Sequence, residues 1–240
     1  MKTALREPSV PLPRPLSGAG DRHRLSLTTQ PEARLSARGL CCIRGDQLIF
    51  DDLDFDARAG QIWQITGPNG AGKTSLLRLL AGLANPAGGS LQWRGAALPA
   101  ARDELQQDLL FLGHLPAISG FMTAAENLHY ARALCASPNA RDIDDVLRQL
   151  GLPDAATTLG QRLSAGQRQR LALARFLSAE AALWIMDEPL TALDAHGRQA
   201  VEAMLEAHAA AGGIAIVSTH QALALPPGML HQFQLGTAAR

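Results

Sequence analysis

The feature that most constrains this chain is a glycine-rich segment between two apolar stretches. It matches the phosphate-loop pattern G-x-x-x-x-G-K-[ST] and consists of Gly67-Pro68-Asn69-Gly70-Ala71-Gly72-Lys73-Thr74. Residues 61–66 before it predict a buried strand, and the leucines at 76, 77, 79 and 80 after it predict a helix. A strand, a glycine loop and a helix in this order predict an α/β fold that binds a nucleoside triphosphate.

The residue types in this loop suit ATP with Mg²⁺. The glycines let the backbone turn so tightly that several N–H groups converge on the β-phosphate. Lys73 adds a positive charge and Thr74 a hydroxyl for the metal ion. The predicted ATP-binding residues of this segment are Gly67, Pro68, Asn69, Gly70, Ala71, Gly72, Lys73, Thr74 and Ser75.

Composition narrows the possible partners. Among 240 residues, Lys and Arg number 22, and so do Asp and Glu, so no excess positive charge indicates a nucleic-acid partner. No apolar stretch reaches the roughly 20 residues that span a bilayer, so we expect the chain to lie in the cytosol.

Residues 1–32 differ from the rest, because five prolines lie among arginines with few apolar residues. This composition predicts a disordered leader, with a docking tail or an organelle-type presequence as alternatives. We expect the folded domain to comprise residues 33–240.

Three further patterns predict its organisation. Residues 34–43, 47–55 and 90–94 predict antiparallel strands flanking the nucleotide core. A helical insert is expected over about residues 114–178, with Thr123 and Glu126 as a capping box and a helix over 141–150. Strands at 183–186 and 214–218 then resume the parallel sheet.

Downstream of the phosphate loop, four short motifs follow in a specific order. They are Leu163-Ser164-Ala165-Gly166-Gln167, then Leu183-Trp184-Ile185-Met186-Asp187-Glu188-Pro189, Leu193-Asp194 and Ser218-Thr219-His220. In this order they resemble the ATP-binding cassette (ABC) ATPases over about residues 35–235. The resemblance implies a phosphate-loop NTPase with a RecA-like core, an antiparallel β layer and an inserted helical subdomain.

The acidic pair Asp187-Glu188 has a physical interpretation of its own. Asp187 ends an apolar strand, where open α/β sheets bind ligands, so its carboxylate can hold Mg²⁺ directly or through water. Glu188 follows where the chain leaves the strand and can face an attacking water as the general base. The alternative, a solvated acidic loop, is disfavoured by the apolar residues before the pair and by Pro189 after it.

Ser164 begins a predicted helix, so its hydroxyl and the free N–H groups that follow form either an anion site or a simple N-cap. The resemblance implies that Ser164, Ala165, Gly166 and Gln167 contact the γ-phosphate held by a second, identical subunit. It also implies that Asp194 lies at the subunit boundary. His220 would contact the γ-phosphate and orient the water, although a histidine near a strand end is more often structural.

Two positions depart from the pattern of the family. Arg44 stands where many cassettes place an aromatic ring against adenine; a guanidinium can stack on a purine, or Arg44 can simply be exposed. His114 stands where most cassettes carry glutamine, and imidazole is a poor ligand for Mg²⁺. We therefore expect His114 to couple the site to a membrane partner.

Several short segments narrow the resemblance to the ATPase subunits of cytochrome c maturation systems, including Gly113-His114 and Thr219-His220-Gln221. This similarity implies docking on CcmB-like, CcmC-like and CcmD-like membrane subunits, at the cytoplasmic face of the bacterial inner membrane. It implies haem export, or release of haem-loaded CcmE-like periplasmic chaperone. The alternatives are another small ABC exporter, a soluble ABC protein acting on ribosomes or DNA, and a phosphate-loop kinase.

Overall fold

The computed structural model describes residues 33–135 and 141–236. The predicted leader over residues 1–32 lies outside the described residues, and the proposed domain and subdomain limits stay predictions. No helix in the described ranges is both long and apolar enough to cross a membrane.

The described strands form two sheets. In chain order they are β1 Arg34–Arg44, β2 Gln47–Arg58, β3 Ile62–Thr66, β4 Gly88–Trp93, β5 Ala96–Ala97, β6 Leu109–Leu112, β7 Leu183–Asp187, β8 Ile214–Ser218 and β9 Leu230–Gln234. One sheet is antiparallel with the order β2-β1-β4-β5, and the other is parallel with the order β6-β7-β8-β3-β9. The predicted antiparallel layer and the resumed parallel sheet are both confirmed.

Six α-helices accompany the strands within the described ranges. They are α1 Lys73–Leu80, α2 Arg102–Gln107, α3 Ala124–Cys135, α4 Ile143–Gln149, α5 Ala165–Ser178 and α6 Ala195–Ala210. The predicted capping box is present, since Thr123 Oγ1 accepts from the Glu126 backbone N–H and Glu126 Oε2 accepts from the Thr123 backbone N–H. Asp142 caps α4, which begins at Ile143 and therefore later than the predicted start at residue 141.

The parallel sheet separates two hydrophobic clusters because successive strand residues point to opposite faces. Met186 and Val217 belong to the cluster formed with α3 to α6, whereas Ile185 and Ile216 belong to the cluster formed with α1 and the antiparallel sheet. Strands β7 and β8 are buried at every position, as expected for central parallel strands. Because these strands are packed on both faces, the loops that follow their carboxyl ends start from fixed positions.

Candidate nucleotide site

The phosphate loop connects the end of β3 to the start of α1 and requires glycine at defined positions. Gly67, Gly70 and Gly72 have φ values of 147°, 84° and 95°, which side-chain-bearing residues rarely adopt. A Cβ at Gly67 would overlap the backbone oxygen of Leu235, and one at Gly72 would overlap the Ile49 side chain. At Gly67 and Gly72 the loop therefore approaches its neighbours too closely for a side chain, whereas Gly70 is required for its backbone conformation alone.

A cavity of about 300 Å³ opens over this loop. The predicted residues that line it from the loop and α1 are Asn69, Gly70, Gly72, Lys73, Thr74 and Ser75. Arg44, His114, Asp187 and Glu188 line it from other parts of the chain. The structure thus brings most of the predicted nucleotide site to one place.

Lys73 lies at the centre of the loop and is only 9% exposed. Its ammonium donates to the backbone oxygens of Gly67 at 2.8 Å and Pro68 at 3.3 Å. Its Nζ also lies 3.1 Å from Nε2 of His220. An ammonium can only donate, so this contact is a hydrogen bond in the tautomer whose Nε2 carries no proton.

Thr74 and Asp187 meet at the carboxyl edge of the sheet. The Thr74 hydroxyl donates to Oδ2 of Asp187 at 2.7 Å, and the Ser218 hydroxyl donates to Oδ1 of the same carboxylate at 2.5 Å. Asp187 is 4% exposed, so its orientation is fixed from both sides. A hydroxyl and a carboxylate oxygen side by side form a donor set that suits Mg²⁺.

Glu188 follows Asp187 with a backbone φ of 51°, an unfavourable conformation for a residue with a side chain. Its N–H donates to both the backbone oxygen and the hydroxyl of Ser218, each at 3.0 Å. Its Oε1 lies 3.6 Å from Nε2 of His220. The strained backbone turns the Glu188 side chain toward His220 and the cavity.

Comparison with known proteins decides the family. The family model described as ABC transporter matches residues 50–191. The cytochrome c biogenesis ATP-binding export protein CcmA of Idiomarina loihiensis is 45% identical over 193 residues, which cover 80% of this chain and 87% of that protein. This chain belongs to the CcmA family of ABC ATP-binding proteins. It is an ABC-type ATPase.

Other members of the CcmA family are similar to this chain at comparable levels. CcmA of Nitrosococcus oceani is 43% identical over 203 residues, covering 85% of this chain and 93% of that protein. Among solved structures, an ABC transporter ATP-binding protein from Pyrococcus furiosus matches with a TM-score of 0.71 at 22% identity, covering 84% of this chain and 97% of that one. An ATP-binding subunit of an ABC transporter gives 0.69 at 23% identity, covering 78% and 79%. These structures support the predicted ABC fold.

The predicted cross-subunit residues of this ABC ATPase lie outside the lining of the cavity. The Ser164 hydroxyl accepts from the Gln167 N–H at 3.2 Å, and the Gln167 side chain accepts from the Ser164 N–H at 2.8 Å. Simple N-capping, the alternative interpretation, is therefore present in the single chain. The hydroxyl hydrogen of Ser164 and the N–H groups of Ala165 and Gly166 lie at the start of the helix, where an anion is stabilised.

Asp194 caps the next helix and links it to α5. Its Oδ1 accepts from the Gly197 N–H at 2.8 Å and from the Arg170 guanidinium at 2.7 Å. These two bonds, the N–H of Gly197 first, hold the pKa of Asp194 below its usual range. Asp194 therefore stays ionised well below neutral pH, and the loop before α6 is tied to the helix that Ser164 begins.

The sequence did not indicate two residues that make hydrogen bonds to this site or to the loop of His220. Ser218 was recognised only as part of a motif, although its hydroxyl orients both Asp187 and the Glu188 backbone. The pattern of residues 61–66 predicts only a buried strand and assigns no role to Gln64. In the structure Gln64 is buried, and its amide donates to the loop that carries His220. A single glutamine within the interior strand Ile62–Thr66 is the available signal.

Proposed function

We propose that this chain is the ATP-hydrolysing subunit of an ABC complex for cytochrome c biogenesis, in which ATP binding and hydrolysis support haem export or release of a haem-loaded chaperone. The observation that carries the catalytic part is the convergence of Lys73, His220 and Glu188 beside the Thr74–Asp187 pair. The relatives at 45% and 43% identity, named as cytochrome c biogenesis export proteins, support the cellular role.

Thr74 and Asp187 would hold Mg²⁺ in this function. Their oxygens lie within 2.7 Å of each other, and the Ser218 hydroxyl keeps the carboxylate in place. When bound, Mg²⁺ supplies positive charge to the phosphate oxygens during transfer. Arg44 lines the same cavity at the end of β1, so its guanidinium is available to stack on the base.

Hydrolysis requires a base and a group that orients water. Glu188 is proposed as the base, with its carboxylate held toward the cavity by the backbone turn at φ 51°. His220 contacts Lys73 and lies beside Glu188. A γ-phosphate that displaces Lys73 would therefore also change the contact between His220 and the proposed base. Lys73 must exchange its bonds to Gly67 and Pro68 for bonds to phosphate.

A second copy of the chain completes the site in this proposal. Ser164, Ala165, Gly166 and Gln167 do not line the cavity formed by their own chain, so they are free to cover the γ-phosphate of a partner. Asp194, tied to α5 through Arg170, would lie at the boundary between the two copies. ATP then bridges two identical subunits, and hydrolysis removes the bridge.

The homodimer is proposed to act on CcmB-like, CcmC-like and CcmD-like membrane subunits at the cytoplasmic face of the inner membrane, and indirectly on a CcmE-like periplasmic chaperone. His114 follows β6 and lines the nucleotide cavity. It is proposed to couple the occupancy of that cavity to the membrane subunits. No nucleic acid is expected as a partner, because the positive and negative side chains balance.

Affinity purification from membranes tests the assignment. A tagged full-length Glu188→Gln chain is purified in the presence of ATP and Mg²⁺, and the accompanying proteins are identified by mass spectrometry. We expect haem-handling membrane subunits and a periplasmic haem chaperone in amounts comparable to the bait. A Lys73→Ala chain, which binds nucleotide poorly, is the matched control. Recovery of an unrelated permease in place of these proteins would overturn the cytochrome c role.

A further inference from the structure

A buried polar residue in an interior strand of the parallel sheet lies outside the lining of the nucleotide cavity. Gln64 is 3% exposed and lies in β3 opposite Val217 of β8 and Gln232 of β9. Its neighbours Ile62 and Ile65 are fully buried and apolar. Burying an amide at the centre of a sheet destabilises the fold unless its hydrogen bonds are satisfied.

Only the nitrogen of the Gln64 amide makes hydrogen bonds among the described residues, and it points to the loop that carries His220. Nε2 donates to the backbone oxygen of Gln221 at 2.9 Å and to that of Thr219 at 3.4 Å. Two acceptors on this side require the nitrogen there, because an amide oxygen would repel them. Oε1 is buried without a hydrogen-bond partner among the described residues.

We propose that Gln64 is a positioning residue that fixes the imidazole of His220 between Lys73 and Glu188. Its two bonds bracket His220 on both sides along the chain, so they hold the backbone from which the ring projects. The inference rests on the proposed role of His220 in hydrolysis. It gives a reason for a buried amide in β3, where its donors face the loop of His220.

A second contact holds the same loop from its outer side. The Arg198 guanidinium of α6 donates to Oε1 of Gln221 at 3.1 Å, and the Gln221 N–H donates to the Thr219 hydroxyl at 3.1 Å. Arg198 lies one helical turn after Asp194, whose backbone oxygen accepts from the Arg198 N–H at 3.0 Å. The loop of His220 is therefore held by the central sheet on one side and by the start of α6 on the other.

The position of the ring matters because the same nitrogen lies close to two proposed catalytic groups. Nε2 of His220 lies 3.1 Å from Lys73 and 3.6 Å from Glu188. A displacement of about 1 Å of a catalytic group can lower a rate on the order of 10²-fold. Loss of two bonds that fix its backbone is expected to lower turnover without removing the phosphate loop.

A double-mutant cycle tests the inference. Gln64→Met keeps the length of the side chain and removes both N–H donors. We expect ATP turnover by the full-length chain in membranes to fall about tenfold, while the Kd for ATP changes less than about twofold. His220→Ala should lower turnover further. In the His220→Ala background, Gln64→Met should have no additional effect, because Gln64 acts only through His220.

The matched control is another buried amide that donates to backbone oxygens. Asn127 is 7% exposed and donates to Ser119, Met122 and Thr123. Asn127→Leu should lower the midpoint of thermal unfolding at least as much as Gln64→Met does, with a smaller effect on turnover. Equal losses of turnover in the two variants would mean that Gln64 contributes only to stability and would overturn the inference.

A surface variant keeps the inference testable if Gln64→Met does not fold. Arg198→Met removes the outer contact from an exposed position, and its effect on turnover should also vanish in the His220→Ala background. Additive effects in both cycles overturn the positioning role but leave the proposed function intact. Unchanged turnover in His220→Ala alone would instead contradict the proposed role of His220 itself.

Discussion

At the scale of single residues, the nucleotide site is a set of short contacts among side chains from distant parts of the sequence. Thr74 reaches Asp187 at 2.7 Å, and Lys73 reaches His220 at 3.1 Å. The sequence predicted each of these residues from a motif, because chemistry limits which side chains can bind phosphate, hold Mg²⁺ or activate water. It did not predict that Ser218 would bridge Asp187 and Glu188.

Glu188→Gln tests the proposed base. An amide has nearly the same shape as the carboxylate but cannot take a proton, so turnover should fall roughly 10²- to 10⁴-fold. ATP binding should be retained, because the phosphate loop and the Thr74–Asp187 pair are unchanged. Single-turnover hydrolysis and ATP binding are measured on the same preparation. Unchanged turnover would remove Glu188 from this role.

The buried His208 side chain predicts that the stability of the fold depends on pH, independently of catalysis. Its ring stacks on Trp184 with centroids 3.8 Å apart, and Nε2 lies 3.2 Å from the backbone oxygen of Ile214. Burial lowers the pKa of His208 to about 4 from 6.5. The unfolded chain therefore binds a proton that the folded chain excludes, and stability falls as the pH drops from 6.5 to about 4.

His208→Phe should remove this contribution. Phenylalanine can keep the stack on Trp184 but does not titrate. Between pH 6.5 and 4, the wild-type chain should lose about 3 kcal/mol more of its free energy of unfolding than the variant does. Urea unfolding at several pH values measures this difference. Parallel curves for the two proteins would show that His208 does not carry it.

At the scale of elements, some strands follow from their local pattern and others only from their pairing partners. Strand β8 occurs where predicted, at Ile214–Ser218, because five buried apolar and small residues lie between turn signals. Strand β6 has only four residues, and β9 mixes polar and apolar residues without strict alternation at the sheet edge. Their pairing with β7 and β3 decides that they are strands, and that pairing joins residues far apart in the sequence.

Gly166→Ala tests the contact between the start of α5 and the loop before α6. A Cβ at Gly166 would lie 2.8 Å from the backbone oxygen of Ala192, so one of the two segments must move. We expect ATP binding by the single chain to persist, while turnover that depends on the dimer falls at least tenfold. Ala165→Gly is the control, because it adds no atoms. Equal activity of Gly166→Ala and wild type would show that this spacing is not needed.

At the scale of the whole molecule, a single chain forms the cavity, and its predicted cross-subunit residues lie outside the lining of that cavity. Lys73, Thr74 and Glu188 line the cavity, whereas Ser164 and Asp194 do not. The proposed homodimer reconciles these positions. In the proposed pair, each chain would cover the γ-phosphate that the other chain binds.

ATP-dependent association tests this arrangement. Glu188→Gln, which should bind ATP without hydrolysing it, is expected to double its mass in light scattering when ATP and Mg²⁺ are added. Ser164→Arg in the same background should prevent association, because it places a bulky side chain at the N-terminus of α5. Ala195→Arg in the same background adds a bulky side chain at the start of α6. Its effect on the measured mass tests whether the start of α6 also lies between the two copies. A nucleotide-saturated protein that stays monomeric even beside its membrane subunits would contradict the proposal.

The sequence by itself determined the fold class and which residues are candidates for the site. A glycine loop between a strand and a helix, followed by Asp187-Glu188 and His220 at strand ends, predicts phosphate, metal and water contacts through local geometry and residue type. Only the tertiary structure decided how these groups are held. The Ser218 bridge, the amide of Gln64 below the loop of His220 and the Arg170 link to Asp194 all depend on strands and helices that the chain brings together. Hydrogen bonds are directional and act over about 3 Å, so their partners follow from packing and not from sequence order.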